Sequence, residues 1–251
     1  MENNSDRMGF ALIALSVVAF VLLVVNGTLQ PTVNGFFNGF NNWQTQTFDG
    51  INESNKQDVT HTAYSWSSDG SDRFTTTKPN LNLLEGSKKY TKDNPKIASS
   101  SAVDGWSVVD DVFVKNLKAG TYTMSGKSDA PWVDHGYWDG KQGKVGLWLI
   151  STTTWEFINL GNTVPKTIEV HKDGDYFVRV NTYSNGKDIE THRFWDFKLE
   201  PGSTATPYRP SASEVKSSDQ PKYIGKYTDK SESASQEPKK YTWKLNPDYH
   251  D

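Results

Sequence analysis

The chain has no cysteine among its 251 residues. That excludes a disulfide framework, a thiol nucleophile and a thiolate zinc site. It also lacks an excess of either charge: the formal net charge is −3, so no electrostatic footprint for nucleic acid is present. No G-x-S-x-G, H-E-x-x-H or P-loop string occurs, so the motifs that announce common hydrolases, zinc proteases and nucleotide-binding enzymes are missing. The paired carboxylates Asp110 and Asp111 are neighbours in a strand-like run, so they face opposite sides and cannot flank one bond. After residue 45 no helix-period segment separates the strand-like runs, which argues against a parallel α/β sheet. The expectation is a non-enzyme.

Aromatic residues are abundant instead. They make up 13% of the chain and include nine Trp. In a β-rich chain this surplus has two readings, cross-strand and core packing or a surface that stacks on sugar rings.

The N-terminus carries the longest apolar run, MGFALIALSVVAFVLLVV at residues 8–25. As a helix these residues span about 27 Å, close to the ~30 Å hydrocarbon core of a bilayer. The flanks are weakly basic and no A-x-A cleavage site follows, which favours an uncleaved anchor over a signal peptide. A buried helical bundle inside a larger assembly satisfies the same pattern. Arg7 is the one basic residue before the run, so a membrane orientation would put the bulk of the chain outside. Val33, Phe36, Phe37, Phe40 and Trp43 then fall on one helical face, suited either to the membrane interface or to packing against copies of itself.

From residue 81 onward short strands alternate with turn signals. The segments 106–114, 120–128, 143–151, 153–160, 165–170, 175–183 and 193–200 are the candidates. Asp139-Gly140, Asp173-Gly174 and Asn185-Gly186 are among their turns. In DYFVRVNTY, Tyr176, Val178, Val180 and Thr182 share one face, and Phe177, Arg179, Asn181 and Tyr183 the other. Spacing of this kind predicts an all-β sandwich. Ahead of it, AYSW-SSDGSD-RFTTT predicts a small hairpin turning at Asp69-Gly70.

Three strings carry a resemblance. YSWSSDGSDRFTTTKPNLNLL (64–84), FKLEPGSTATPYRP (197–210) and PKYIGKYTDKSESASQEPKKYTW (221–243) are similar, in this order, to segments of minor tail and adsorption proteins of phages infecting lactic-acid bacteria. Together they span roughly residues 64–246. The resemblance implies a jelly-roll β-sandwich like a carbohydrate-binding module, at 81–211. Residues 1–47 would be an apolar anchor helix with an amphipathic extension, and 48–80 a linker and hairpin. Residues 212–251 would be a linker and a short C-terminal hairpin, with the last residues, NPDYHD, unordered. It implies a virion tail protein, a homo-oligomer and favoured as a trimer, that attaches non-catalytically to host-surface saccharide. The alternative is a membrane-anchored surface protein of a Gram-positive bacterium, encoded by a mobile element.

The longest loop in the predicted sandwich, SDAPWVDHGYWDGKQGK at 128–144, is the candidate site, because rigid sandwiches carry binding residues on loops. Trp132, Tyr137 and Trp138 offer flat faces, and Asp134, His135 and Asp139 offer hydrogen-bonding groups for sugar hydroxyls. Trp132 and Trp138 could equally fold over an open edge of the core. No second His lies at ligand spacing, so zinc is not expected and no cofactor is assigned. Asp104, Asp110, Asp111 and Asp196 are oxygen donors available for a structural calcium, although without any EF-hand spacing.

Overall fold

The computed structural model describes residues 35, 38–43, 45, 56–103, 105–133 and 145–250. Two compact units divide the chain, 1–59 and 60–251. In the first, residues 38–43 are helical, with the Phe40 and Trp43 rings 5.8 Å apart, as the predicted amphipathic face requires. Residues 8–25, Val33, Phe36 and Phe37 lie outside the described residues. Among the described residues no helix is long and apolar enough to cross a membrane.

From Val59 onward the described residues form eleven strands: β1 (Val59–Ser65), β2 (Lys96–Ser100), β3 (Gly105–Leu117), β4 (Gly120–Ser128), β5 (Val145–Ser151), β6 (Phe157–Asn159), β7 (Lys166–Val170), β8 (Gly174–Thr182), β9 (Glu190–Pro201), β10 (Tyr223–Asp229) and β11 (Thr242–Leu245). Two four-stranded sheets have the orders β2-β9-β4-β7 and β3-β8-β5-β6, and all their pairings are antiparallel. The expected all-β sandwich is present. Its strands follow the predicted runs closely, with one addition: β2, KIASS, is a short edge strand of small and polar residues without the alternation that announces a half-buried strand.

The core lies between the two sheets. Val109, Val112 and Val114 of β3, Leu147 and Leu149 of β5, and Tyr176, Val178 and Val180 of β8 meet Met124 of β4, Ile168 of β7, and Phe194, Phe197 and Leu199 of β9 in one cluster. Each such side chain, fully buried, contributes about 1.5–3 kcal/mol. Of the two faces that alternation gives β8, the one with Tyr176, Val178 and Val180 packs into the core, where all three are fully buried.

The two strings LNLL and FKLEPGSTATPYRP are fastened to each other. The Asn82 side chain accepts from the Leu199 and Leu84 amides at 2.9 and 3.0 Å and donates to the Phe197 carbonyl at 2.7 Å. Phe197 and Leu199 fill the core, as predicted, but the opposite side of the strand is buried too. Gly202 takes a φ of 83°, a conformation that costs glycine little, and the chain folds back over β9. This covers Lys198 and Glu200, whose side chains are 1% and 0% exposed and pair at 3.1 Å. Lys198 Nζ also donates to Thr206 Oγ1 at 2.6 Å and to the Pro207 carbonyl at 2.9 Å. Burial holds the Lys198 ammonium below its ordinary pKa, with Glu200 acting in the opposite sense.

The hairpin expected at 64–74 is reduced to one bridge, Tyr64 to Thr75. The principal partner of β1 is β10, in a three-stranded sheet β1-β10-β11. The reason is aromatic packing: Phe74, Tyr227, Tyr241 and Trp243 form a small cluster with ring separations of 4.7–6.1 Å. His61 stacks on Tyr227 at 4.8 Å, and its Nε2 lies 3.0 Å from Asp229 Oδ1. Two pieces too small for separate cores thus share one. The segment 211–220, expected as a linker, is held by a Lys88–Asp219 ion pair at 2.6 Å and by Arg209 donating to Gln220 at 2.8 Å. Residues 246–250, expected to lack order, are tied through buried Asn246, whose side chain donates to the Pro221 carbonyl at 2.7 Å and whose carbonyl accepts from the Tyr249 amide at 3.0 Å.

Alkaline titration tests this packing. Burial, reinforced by Asp111, pushes the Tyr90 hydroxyl up to about 12, and burial does the same to Tyr208. Between pH 10 and 12 the unfolded chain loses these protons and the folded chain keeps them, so stability falls as pH rises through this window. Lys198, with its pKa lowered, contributes in the opposite direction. Tyr208→Phe is expected to flatten the decline in urea denaturation midpoints across that range; an unchanged slope would contradict the assignment.

Candidate functional site

A sheet face turned to solvent normally alternates to polar residues. The outer face of β3-β8-β5-β6 does not. Strand pairing sets Trp106 opposite Asn181, and Arg179 between Val108 and Trp148. β6 adds Phe157 beside Ile150. The Arg179 guanidinium lies 4.7 Å from the Trp148 ring, 5.2 Å from Trp106 and 5.9 Å from Phe157. Arg179 Nε donates to Asn181 Oδ1 at 2.9 Å, which fixes the side chain along the strand.

Trp106 is 59% exposed, Phe157 51% and Trp155 64%. Trp155 sits in the β5–β6 turn, 6.5 Å from Phe157, at a φ of 54°. That left-handed conformation is unfavourable for a bulky residue, and such strain gathers at functional sites. Gly146 is required in the same face. A Cβ there would come within 2.8 Å of the Tyr183 hydroxyl and 3.2 Å of Trp148 Nε1, so only glycine lets both lie against the strand. Trp148 Nε1 is buried with no hydrogen-bond partner among the described residues, a donor whose free energy improves when an acceptor arrives.

At the other end of this face is a groove of about 470 Å³, lined by Val108, Asp110, Phe113, Lys115, Asp175 and Phe177 among others. A second cavity, about 510 Å³, lies on the other sheet beside Ser125, Lys127, Asp196 and Tyr208. It carries two ion pairs, Lys127 with Asp196 at 2.9 Å and Arg73 with Asp72 at 2.8 Å, and none of the exposed Trp and Phe rings. Rings, a fixed cation and a groove make the first face the stronger candidate. They suit a ligand that offers flat C–H surfaces together with hydrogen-bond acceptors.

Of the loop residues predicted from sequence, Trp132 is described. It is partly buried against the core, 6.2 Å from Phe194, and bridges to Val145. Asp134, His135, Tyr137, Trp138 and Asp139 lie outside the described residues. The loop rejoins the fold at Val145, one residue before Gly146 of the aromatic face.

The oxygen donors considered for calcium are not brought together. Asp110 lines the groove. Asp111 is held by Lys89 and Tyr90, and Asp196 pairs with Lys127 on the other sheet. Asp104 is outside the described residues. Among the described residues no group of three or more metal-ligating side chains converges.

Sequence reading placed Arg179 and Asn181 together on one face of β8 but assigned them no role. Trp106, Trp148, Trp155 and Phe157 come from other segments, and strand pairing is what assembles them.

No family model matches the chain, and no curated protein matches it. Among solved structures, the tripod (BppUct-A-L) from the baseplate of bacteriophage Tuc2009 is similar. The identity is 26% and the TM-score 0.58, over 75% of this chain and 79% of that one. This likeness bears out the resemblance to phage tail proteins carried by the three sequence strings.

Proposed function

We propose that this chain is a non-catalytic adhesin of a phage tail, which attaches the virion to saccharide on the host surface. The observation that carries the reading is the platform of exposed Trp106, Trp155 and Phe157 beside half-buried Trp148 and Arg179. The strand orders 2-9-4-7 and 3-8-5-6 are those of a jelly roll, a fold used by lectin domains, although fold alone does not assign function. Loop residues Trp132, Asp134, His135, Tyr137, Trp138 and Asp139 stay in the proposed site as the sequence suggested, and their segment rejoins the described fold at Val145, next to Gly146. The similar baseplate assembly is described as a tripod, which supports a three-fold homo-oligomer. Three weak sites on one body would bind by avidity. The apolar N-terminal run is the segment that would join the module to other tail proteins.

The test is binding of the full chain to Gram-positive cells and to their extracted wall polysaccharides. Saturable binding competed by soluble polysaccharide is expected. Binding to no cell or polysaccharide across a broad host panel would replace the adhesin with an assembly spacer. The loop contribution is tested separately: a Trp132→Ala/Trp138→Ala double variant that still folds is expected to bind cells several-fold less well. Unchanged binding would remove the loop from the site and leave the sheet face.

A further inference from the structure

The platform occupies only one end of the outer face of β3-β8-β5-β6. From the Trp106–Asn181 row the face continues along β3 and β8, through the Val108–Arg179 pair to the Phe113–Phe177 pair. The groove of about 470 Å³ opens there. Its floor of Val108, Phe113 and Phe177 is apolar. Its rim carries Asp110, Asp175, Lys115 and Thr152, with the Lys115 ammonium 5.5 Å from the Phe113 ring. Asp175 is fixed by the Asn116 amide, which donates to its carboxylate at 2.8 Å; Asp110 stands exposed on the rim.

A cavity of this size accommodates a small ligand by itself, and the aromatic platform adds further contact area outside it. The span from Asp175 to Asn181 along β8 is about 20 Å at strand rise. One sugar ring cannot touch both ends. The two ends also differ in chemistry: rings around a cation at one, carboxylates over an apolar floor at the other.

Resting on the saccharide reading above, we infer that the face binds an extended segment of polysaccharide, laid along β3 and β8. One sugar lies over Trp106 and Arg179, and a later one lies in the groove with its hydroxyl or amino groups donating to Asp110 and Asp175. The site therefore selects chain length and the identity of two separated units, and a lone terminal sugar occupies only half of it.

The experiment is calorimetric titration of the full chain with wall polysaccharide from a strain that binds it, hydrolysed and separated by size. Wild-type affinity is expected to climb with fragment length and then level off. Asp110→Asn, an exposed change that spares the fold, and Phe113→Ala are expected to weaken the longest fragments by about tenfold while leaving the shortest unchanged. Trp106→Ala is expected to weaken fragments of every length. Equal wild-type affinity for short and long fragments, or full affinity of Asp110→Asn for the long ones, would overturn the extended site and leave the platform standing. If no fragment of any length binds the wild type, the saccharide reading itself falls, and the extended site with it.

Discussion

Trp106→Ala is expected to lower monovalent affinity for the host saccharide by about thirtyfold, equivalent to about 2 kcal/mol for a central aromatic anchor beside a cation. The residue is more than half exposed at the start of β3 and touches the Arg179 guanidinium. Its removal takes away a stacking surface and one of the rings that orient the cation. Stability should change by no more than about 0.5 kcal/mol, as for other surface substitutions, so urea denaturation separates lost binding from lost fold. On cells the loss is larger, because every site of an oligomer is weakened together. Trp155→Ala removes an exposed ring held at a strained φ and is expected to act in the same direction. Wild-type affinity in both variants would show that the face serves assembly rather than attachment.

Lys198→Met is expected to destabilise the sandwich by about 3–5 kcal/mol, the cost of leaving a buried carboxylate without its counter-charge. Glu200 keeps the Thr206 amide at 2.8 Å and the Asn80 side chain at 3.2 Å, which places the effect toward the lower end. Against a total of about 5–15 kcal/mol for a domain, this is enough to shift the urea midpoint sharply. The double variant Lys198→Met/Glu200→Gln removes the orphaned charge and is expected to recover part of the loss. If the single variant costs less than about 1 kcal/mol, the segment 203–210 does not depend on this pair to lie over β9.

These two predictions come from features with different visibility in the sequence. The alternation of β8 put Val178 and Val180 on one face and Arg179 and Asn181 on the other, and the strand keeps that grouping. Turn dipeptides and β-branched runs located most strands, because local propensity and the period of two act within a few residues. β2 was not legible, since KIASS carries neither pattern. The FKLEPGSTATPYRP string announced a closing strand, yet gave no sign that Lys198 and Glu200 would be covered, because the cover arrives from residues that turn back only after Gly202. The two terminal hairpins read as separate units, and they merge because Phe74, Tyr227, Tyr241 and Trp243 need each other to form any core.

The binding face illustrates the same division. A cluster of aromatic and acidic residues in one loop is visible locally, so the loop 128–144 drew attention. Trp106, Trp148, Trp155, Phe157 and Arg179 are spread over more than seventy positions and no local pattern groups them. Periodicity, composition and turn chemistry determined that this chain would be an all-β sandwich without thiol chemistry. Only the tertiary pairing of β3, β8, β5 and β6 decided which outward side chains become neighbours. Adjacency across a sheet depends on strand order and register, which are set by the whole core at once and not by any one segment.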